Sequence, residues 1–222
     1  MAECSVNTFP PTRHRVSGAI ALGPGLVLQG VHMRFHRNEE IFGEGEPATY
    51  VYRVVSGAVR STSFSNGGRR QILSFHTVGD VFGLEAGGAH TLTAEAVSDT
   101  EVALVRRSLV DAAAADPLAA HGMIALMHRH LLDAQTHALL LGRKGACERV
   151  AAFLLNLADR CGQRSEIDLP MSRADIADYL ALTIETVSRA FTQMEREHTI
   201  ELPRSRHVVV RDRGALEMFE AA

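Results

Sequence analysis

Cysteine is scarce in these 222 residues: Cys4, Cys147 and Cys161 are the three present, and Cys4 is the only one before Cys147. Three scattered thiols build no disulfide framework, and their spacing matches no zinc or iron–sulfur motif. Long apolar runs are also missing. None approaches the ~18 residues of a membrane span, and no basic-then-apolar leader pattern opens the chain, so the cytoplasm is the expected compartment and no membrane partner is expected. An excess of one charge is absent too: residues 1–142 hold 11 basic and 13 acidic residues, and residues 143–222 hold 12 and 13. Any surface for a polyanion must therefore arise from local placement of arginines, with Arg173, Arg204, Arg206, Arg211 and Arg213 as candidates. Phosphate loops, G-x-S-x-G, H-E-x-x-H and paired-cysteine motifs do not occur, which argues against an enzyme.

What is present is an ordinary globular composition, 46 % hydrophobic and 22 % charged, in a chain long enough for one large or two modest domains. Residues 1–22, with Pro10, Pro11 and Gly18, show no period and read as a loosely held tail. Short β-branched or alternating runs follow at 51–55, 58–64, 71–75, 94–97 and 101–105. Turn signals stand between them at Gly43, Gly45, Gly57, Asn66-Gly67-Gly68, Gly79-Asp80 and Gly87-Gly88. Such short strands with glycine corners predict a small antiparallel barrel or jelly roll.

Two helices come next. Residues 107–115 form a short one, broken at Asp116-Pro117. From 118 to 141 the helical pattern is continuous, and Ile124, Met127, Leu131, Ala134, Ala138 and Leu141 follow in steps of three and four. That narrow 3.5-residue seam predicts a partner helix, and hence a homodimer. His121, His128, His130 and His137 lie on the same helix. Members seven apart are separated by about 10 Å along the axis, too far to share one metal ion, so they read as solvated or partner-facing.

After a hinge at residues 142–145, an amphipathic helix over 148–160 places Val150, Phe153, Leu154 and Leu157 inward. Cys147 at its start is open to two readings, a thiol activated by the helix dipole or ordinary packing. Residues 169–196 then read as a helix-turn-helix. Ser172 with Asp175 gives the first helix a capping box, residues 181–183 give a short turn, and Thr183 caps the second helix. On that second helix Val187, Ala190, Phe191 and Met194 face inward, while Glu185, Ser188, Arg189 and Thr192 form a polar stripe. A carboxylate at Glu185 suits a cytosine N4 amine and a guanidinium at Arg189 suits guanine O6 and N7; four residues apart, the two could also pair with each other. Glu185, Ser188 and Arg189 are thus the expected base readers of double-stranded DNA. Ser172, Arg173, Thr183, Thr186, Arg204 and Arg206 are assigned to its backbone. The last two lie in a predicted two-stranded wing over 199–210, before a terminal helix over 214–222.

The runs Gly45-Glu46-Pro47-Ala48, Tyr52-Arg53-Val54-Val55-Ser56-Gly57 and Gly79-Asp80-Val81-Phe82-Gly83 resemble the cyclic-nucleotide-binding-type barrel of the Crp/Fnr regulator family. The resemblance implies an α+β fold: an N-terminal β jelly roll over 23–107, a short helix plus dimerisation helix over 108–142, and a winged helix-turn-helix over 143–222. Cyclic-nucleotide binders of the family carry a glutamate and an Arg-Ser pair at the phosphate segment. Here Leu84 stands at the glutamate position, Glu85 one residue along, and His90-Thr91 in place of Arg-Ser. Glu185-x-x-Ser188-Arg189 resembles the E-x-x-S-R signature of the Fnr branch, which implies a palindrome of TTGA-type half-sites. That branch commonly holds an iron–sulfur centre on an N-terminal cysteine cluster, which one cysteine does not supply. The pattern therefore resembles FixK-type regulators, and implies a cofactor-free activator of microaerobic, nitrogen-fixation or denitrification genes with RNA polymerase as a partner. Two other readings stay open, a haem- or nitric-oxide-responsive regulator and a cyclic-nucleotide-responsive binding module.

Overall fold

The computed structural model describes residues 17–23, 26–64, 67–85, 87–143, 145–162 and 165–221. Its first half is governed by strand alternation. β1 (Ser17–Gly23), β2 (Leu26–Phe35), β4 (Tyr50–Ser56), β7 (Val81–Phe82) and β9 (Thr100–Arg106) form an antiparallel sheet in the order β1-β2-β9-β4-β7. β3 (Glu40–Phe42), β5 (Val59–Phe64), β6 (Arg70–His76) and β8 (Thr93–Ala96) form a second, ordered β3-β8-β5-β6. Val102 of β9 lies opposite Met33 on one side and Val54 on the other, so one register puts all three into the space between the sheets. Together the sheets make a curled half-barrel, where the glycine-punctuated strands predict a small antiparallel barrel or jelly roll. Gly57 turns β4 into β5 at φ +80°, where a Cβ would sit 2.5 Å from the Asp99 carbonyl oxygen, so glycine is required there.

The expected tail over 1–22 differs in part. Residues 1–16 lie outside the described residues, whereas Ser17–Gly23 form β1, paired antiparallel with β2. The physical reason is Ile20 and Leu22, two alternate residues that are both buried.

α1 (Arg107–Ala113) and α2 (Pro117–Arg143) follow, with Asp116 Oδ2 accepting from the Ala119 amide at 2.9 Å to start α2. Ala119, Met123 and Leu126 of α2 pack with Ile20, Leu22 and Leu26 on the outer face of the five-stranded sheet. No single helix among the described residues is long and apolar enough to cross a membrane.

The second half contains α3 (Ala146–Cys161), closed by Gly162 in the left-handed conformation, then β10 (Glu166–Asp168), α4 (Arg173–Leu180), α5 (Ile184–Arg196), β11 (Ile200–Arg204), β12 (His207–Val210) and α6 (Arg213–Ala221). β10 joins the predicted wing as a third strand, in the order β10-β12-β11. Leu154, Ile176, Leu180, Phe191 and Met194 form its core. That core runs on into Ile72 and Phe75 of the half-barrel, so one apolar cluster spans both halves.

Candidate nucleic-acid interface

Backbone chemistry fixes the two helices of this surface. Ser172 Oγ accepts from the Asp175 amide at 3.1 Å, and Asp175 Oδ2 accepts from the Ser172 amide at 3.0 Å, closing the capping box at the start of α4. Ala181 ends α4 at φ +52°, and Thr183 Oγ1 accepts from the Thr186 amide at 3.2 Å to begin α5. Only residues 181–183 separate the helices. Val187, Ala190, Phe191 and Met194 are buried beneath α5, and this packing turns the opposite stripe outward.

Glu185, Ser188, Arg189 and Thr192 all lie exposed on that stripe. The Glu185 carboxyl is held below its ordinary range, first by its own backbone amide, then by the Thr183 hydroxyl, with Arg189 a smaller cause. Among the described residues, Glu185 and Arg189 form no ion pair with each other; the i,i+4 pair present is Arg213–Glu217. Carboxylate and guanidinium therefore stand side by side, both turned to solvent and available to base edges.

The residues expected at the DNA backbone divide. Thr183 is exposed beside the α5 start, Thr186 and Ser172 are half-buried and engaged in capping, and Arg204 is exposed at the tip of the wing. Arg206 is half-buried, with Nη1 3.5 Å from the Pro170 carbonyl oxygen. Arg173 differs most. Its guanidinium lies over the Phe191 ring at 3.2 Å, its Nη1 is buried without a hydrogen-bond partner, and burial pushes its pKa down to about 10. Arg211 and Arg213, candidates for a basic surface by composition, are already engaged: Arg211 pairs with Glu201, and Arg213 with Asp159 and Glu217.

The expected seam of α2 is largely exposed. Ile124, Met127 and Leu131 are 66 %, 45 % and 54 % accessible, Ala134 and Ala138 are exposed, and Leu141 is half-buried. α2 thus has one apolar face on the half-barrel and another facing outward. Its histidines separate accordingly. His121 and His128 are exposed, but His130 and His137 turn inward rather than to solvent or a partner. His137 stacks on Tyr179 at 4.0 Å and its Nε2 lies 2.9 Å from the Tyr179 carbonyl oxygen. Cys147 packs without activation. Burial, then Glu197 and Glu148, push its thiol up, and Sγ lies 3.2 Å from Gln193 Oε1.

Inside the half-barrel, rings pack together around Phe82 and His90, at the segment that the resemblance assigns to a cyclic phosphate. Phe42 stacks on His90 at 3.6 Å and packs 5.1 Å from Tyr52, which stacks on Phe82 at 5.2 Å. Glu85 Oε2 is 3.2 Å from His90 Nδ1, so it is tied to the ring rather than offered to a ribose. Nearby guanidiniums point elsewhere: Arg107 donates to the Ala48 and Gly83 carbonyls, and Arg53 to that of Gly79. These residues do not fit a cyclic phosphate, which needs a cation and free donors.

One contact set leaves no local signal in the sequence. Asp175 and Asp178 of α4 reach Arg60 and Arg70 of the half-barrel. Asp175 had a local explanation in the cap, and nothing within a few residues of it signals an arginine so far away in the chain.

Comparison with known proteins agrees with both halves. A model of the cyclic nucleotide-binding domain matches residues 32–116, and a model of the Crp-like helix-turn-helix domain matches residues 148–219. The chain is 50 % identical over 193 residues to the nitrogen fixation regulation protein FixK of Azorhizobium caulinodans, covering 84 % of this chain and 78 % of that protein. It is 39 % identical over 174 residues to the transcriptional activatory protein AadR of Rhodopseudomonas palustris, covering 76 % and 73 %. Among solved structures, FixK2 from Bradyrhizobium japonicum superposes with a TM-score of 0.84 at 48 % identity, over 88 % of this chain and 99 % of that one.

Proposed function

As this chain belongs to the Crp/Fnr family of transcription regulators, with a helix-turn-helix DNA-binding domain like that of FixK proteins, we propose that it activates transcription as a homodimer on a palindrome of TTGA-type half-sites. The observation that carries this reading is the exposed stripe of α5. Glu185 and Arg189 stand unpaired with each other, an acceptor and a fork of donors one helical turn apart, on a helix whose other face is buried. Glu185 accepts from cytosine, Arg189 donates to guanine and Ser188 touches a thymine. Thr183, Thr186, Ser172, Arg204 and Arg206 contact the backbone, the wing supplying the more exposed charge, whereas Arg173 is held on the Phe191 ring. The outward face of α2, from Ile124 to Leu141, meets its copy in the partner.

On this reading, DNA binding needs neither an iron–sulfur cluster nor a cyclic nucleotide. The ring cluster of the half-barrel supports the second point, and the single cysteine before Cys147 supports the first. The protein works in the cytoplasm, with RNA polymerase as its partner at the promoter. The test is a mobility shift at low salt with purified protein and a TTGA-type palindrome, beside a spectrum of the same sample. A shift without added ligand and without a visible chromophore is expected. Failure to shift, or a Soret band, overturns the reading.

A further inference from the structure

α4 carries the first half of the helix-turn-helix, and it is docked on the β5–β6 hairpin by charge as well as by apolar surface. Arg60 is nearly buried: its Nη1 donates to Asp175 Oδ1 at 3.0 Å, its Nε to Glu95 Oε2 at 2.7 Å and its Nη2 to Asn38 Oδ1 at 3.2 Å. Arg70 donates through Nη2 to Asp175 Oδ1 at 3.0 Å and through Nε to Asp178 Oδ2 at 2.9 Å. Gln71 Nε2 donates to the Asp178 carbonyl at 2.7 Å. Beside this network the Tyr179 ring sits between Phe75 of the half-barrel at 5.2 Å and His137 of α2 at 4.0 Å.

Apolar packing alone would hold α4 here, yet it tolerates sliding and rotation. Two guanidiniums on two carboxylates one turn apart along a helix do not, because each fork fixes a direction as well as a distance. Buried ion pairs add little net stability over apolar substitutes, and their better attested use is to fix register. Fixing α4 fixes α5, since residues 181–183 and a shared core join them. In this docked arrangement Glu185, Ser188 and Arg189 remain exposed, so the contact does not hide the reading surface.

We propose that Arg60 and Arg70 are positioning residues for DNA recognition: through Asp175 and Asp178 they orient α4 so that the two α5 helices of a dimer meet half-sites at one spacing. The proposal rests on the homodimer and palindrome reading above. One added base pair moves a half-site by about 3.4 Å and turns it by about 34°, more than a fixed pair of helices follows.

The experiment uses the full chain and fluorescence anisotropy on three kinds of duplex: the TTGA-type palindrome, the same palindrome with one base pair added or removed at its centre, and a single half-site. Arg70→Gln is the first variant. A second, Arg60→Gln/Arg70→Gln/Asp175→Asn, removes the buried Asp175 charge together with its two guanidinium partners, and leaves Glu95 and Asp178, whose side chains are 20 % and 33 % exposed, in contact with water. Wild type is expected to bind the altered spacings at least about tenfold more weakly. In both variants that discrimination falls to about twofold, cognate affinity drops about fivefold and half-site affinity stays within about twofold of wild type. Arg70→Lys, which keeps the charge but not the fork, recovers part of the discrimination. Variants that keep the full discrimination overturn the proposal alone, whatever their melting temperatures. A wild type indifferent to spacing overturns the palindromic-dimer reading and this proposal with it.

Discussion

The Arg173 guanidinium lies 3.2 Å above the centre of the Phe191 ring, joining the first turn of α4 to the buried face of α5. A planar cation over an aromatic face contributes on the order of 1–2 kcal/mol when water is excluded, and its aliphatic stem adds packing. Burial of Nη1 without a partner, which also holds the guanidinium's pKa down, offsets part of that gain, so Arg173→Ala is expected to lower unfolding stability by about 0.5–1 kcal/mol, read as a shift of the urea midpoint at constant slope. Arg173→Lys should recover less than half of that, because an ammonium does not stack. An unchanged midpoint in Arg173→Ala would place the side chain away from the ring and return it to a purely DNA-facing role.

Arg189 and Arg204 are predicted to fail differently. Arg189→Ala removes a bidentate contact to one base pair, so it should cost about 1–3 kcal/mol on the cognate palindrome and much less on a site altered at that base pair. Arg204→Ala, at the exposed wing tip, should weaken all sequences alike and reduce the slope of log affinity against log salt by about 1 per protomer. Anisotropy titrations on cognate and single-substituted duplexes at several salt concentrations separate the two. A uniform loss from Arg189→Ala removes it from the base readers.

What the chain order reveals is chiefly what lies within a turn or two. The Ser172–Asp175 spacing and the inward set Val187, Ala190, Phe191 and Met194 are local patterns, and the structure places each where its period puts it. β3 and β7 escape such reading because three and two residues are too few to show alternation. The arginines were legible as charges but not as partners. Arg211 finds Glu201 ten residues away, Arg213 finds Asp159 at a separation of 54, and Arg60 finds Asp175 at 115. Spacing along one helix carries no trace of such pairs, so a basic surface inferred from composition loses Arg211 and Arg213 to their neighbours.

His76 gives the protein a stability that depends on pH above the carboxylate range. Its ring is buried against Phe82, Nε2 lies 2.8 Å from Ser61 Oγ, and burial lowers its pKa to about 4. Asp80 opposes that shift, while His130 on α2 and Arg160 on α3 add to it. The folded state thus holds the neutral ring while the unfolded chain takes up a proton near pH 6.5, so stability is full above that pH and falls as pH drops toward 4. Asp175 works at lower pH: burial pushes its carboxyl up, but Ser172, then Arg60 and Arg70, outweigh burial and hold it below the ordinary range, so it is silent between pH 7 and 5. Urea unfolding at those two values should show a loss on the order of 2 kcal/mol from His76, with His130 and His137 adding in the same direction. His76→Gln should remove the His76 share. An equal pH dependence in the variant would show that the ring is not held neutral.

The outward face of α2 is the strongest test of the dimer. Leu131 is 54 % accessible in the single chain and lies midway along the seam between Ile124 and Leu141. Burying such a leucine against a partner contributes about 1.5–3 kcal/mol, and the twofold axis counts every seam residue twice. Leu131→Asp removes that gain and brings two carboxylates together near the axis, where burial penalises both. The dimer dissociation constant is expected to rise at least about 100-fold, or about 2.7 kcal/mol, as measured by sedimentation velocity across a concentration series. The fold itself should survive, because Ala119, Met123 and Leu126 hold α2 to the half-barrel from the opposite side. Palindrome binding should then fall toward the affinity of a single half-site, while α5 keeps its preference for the cognate bases. A Leu131→Asp protein that sediments as the wild-type dimer would move the association surface off this helix.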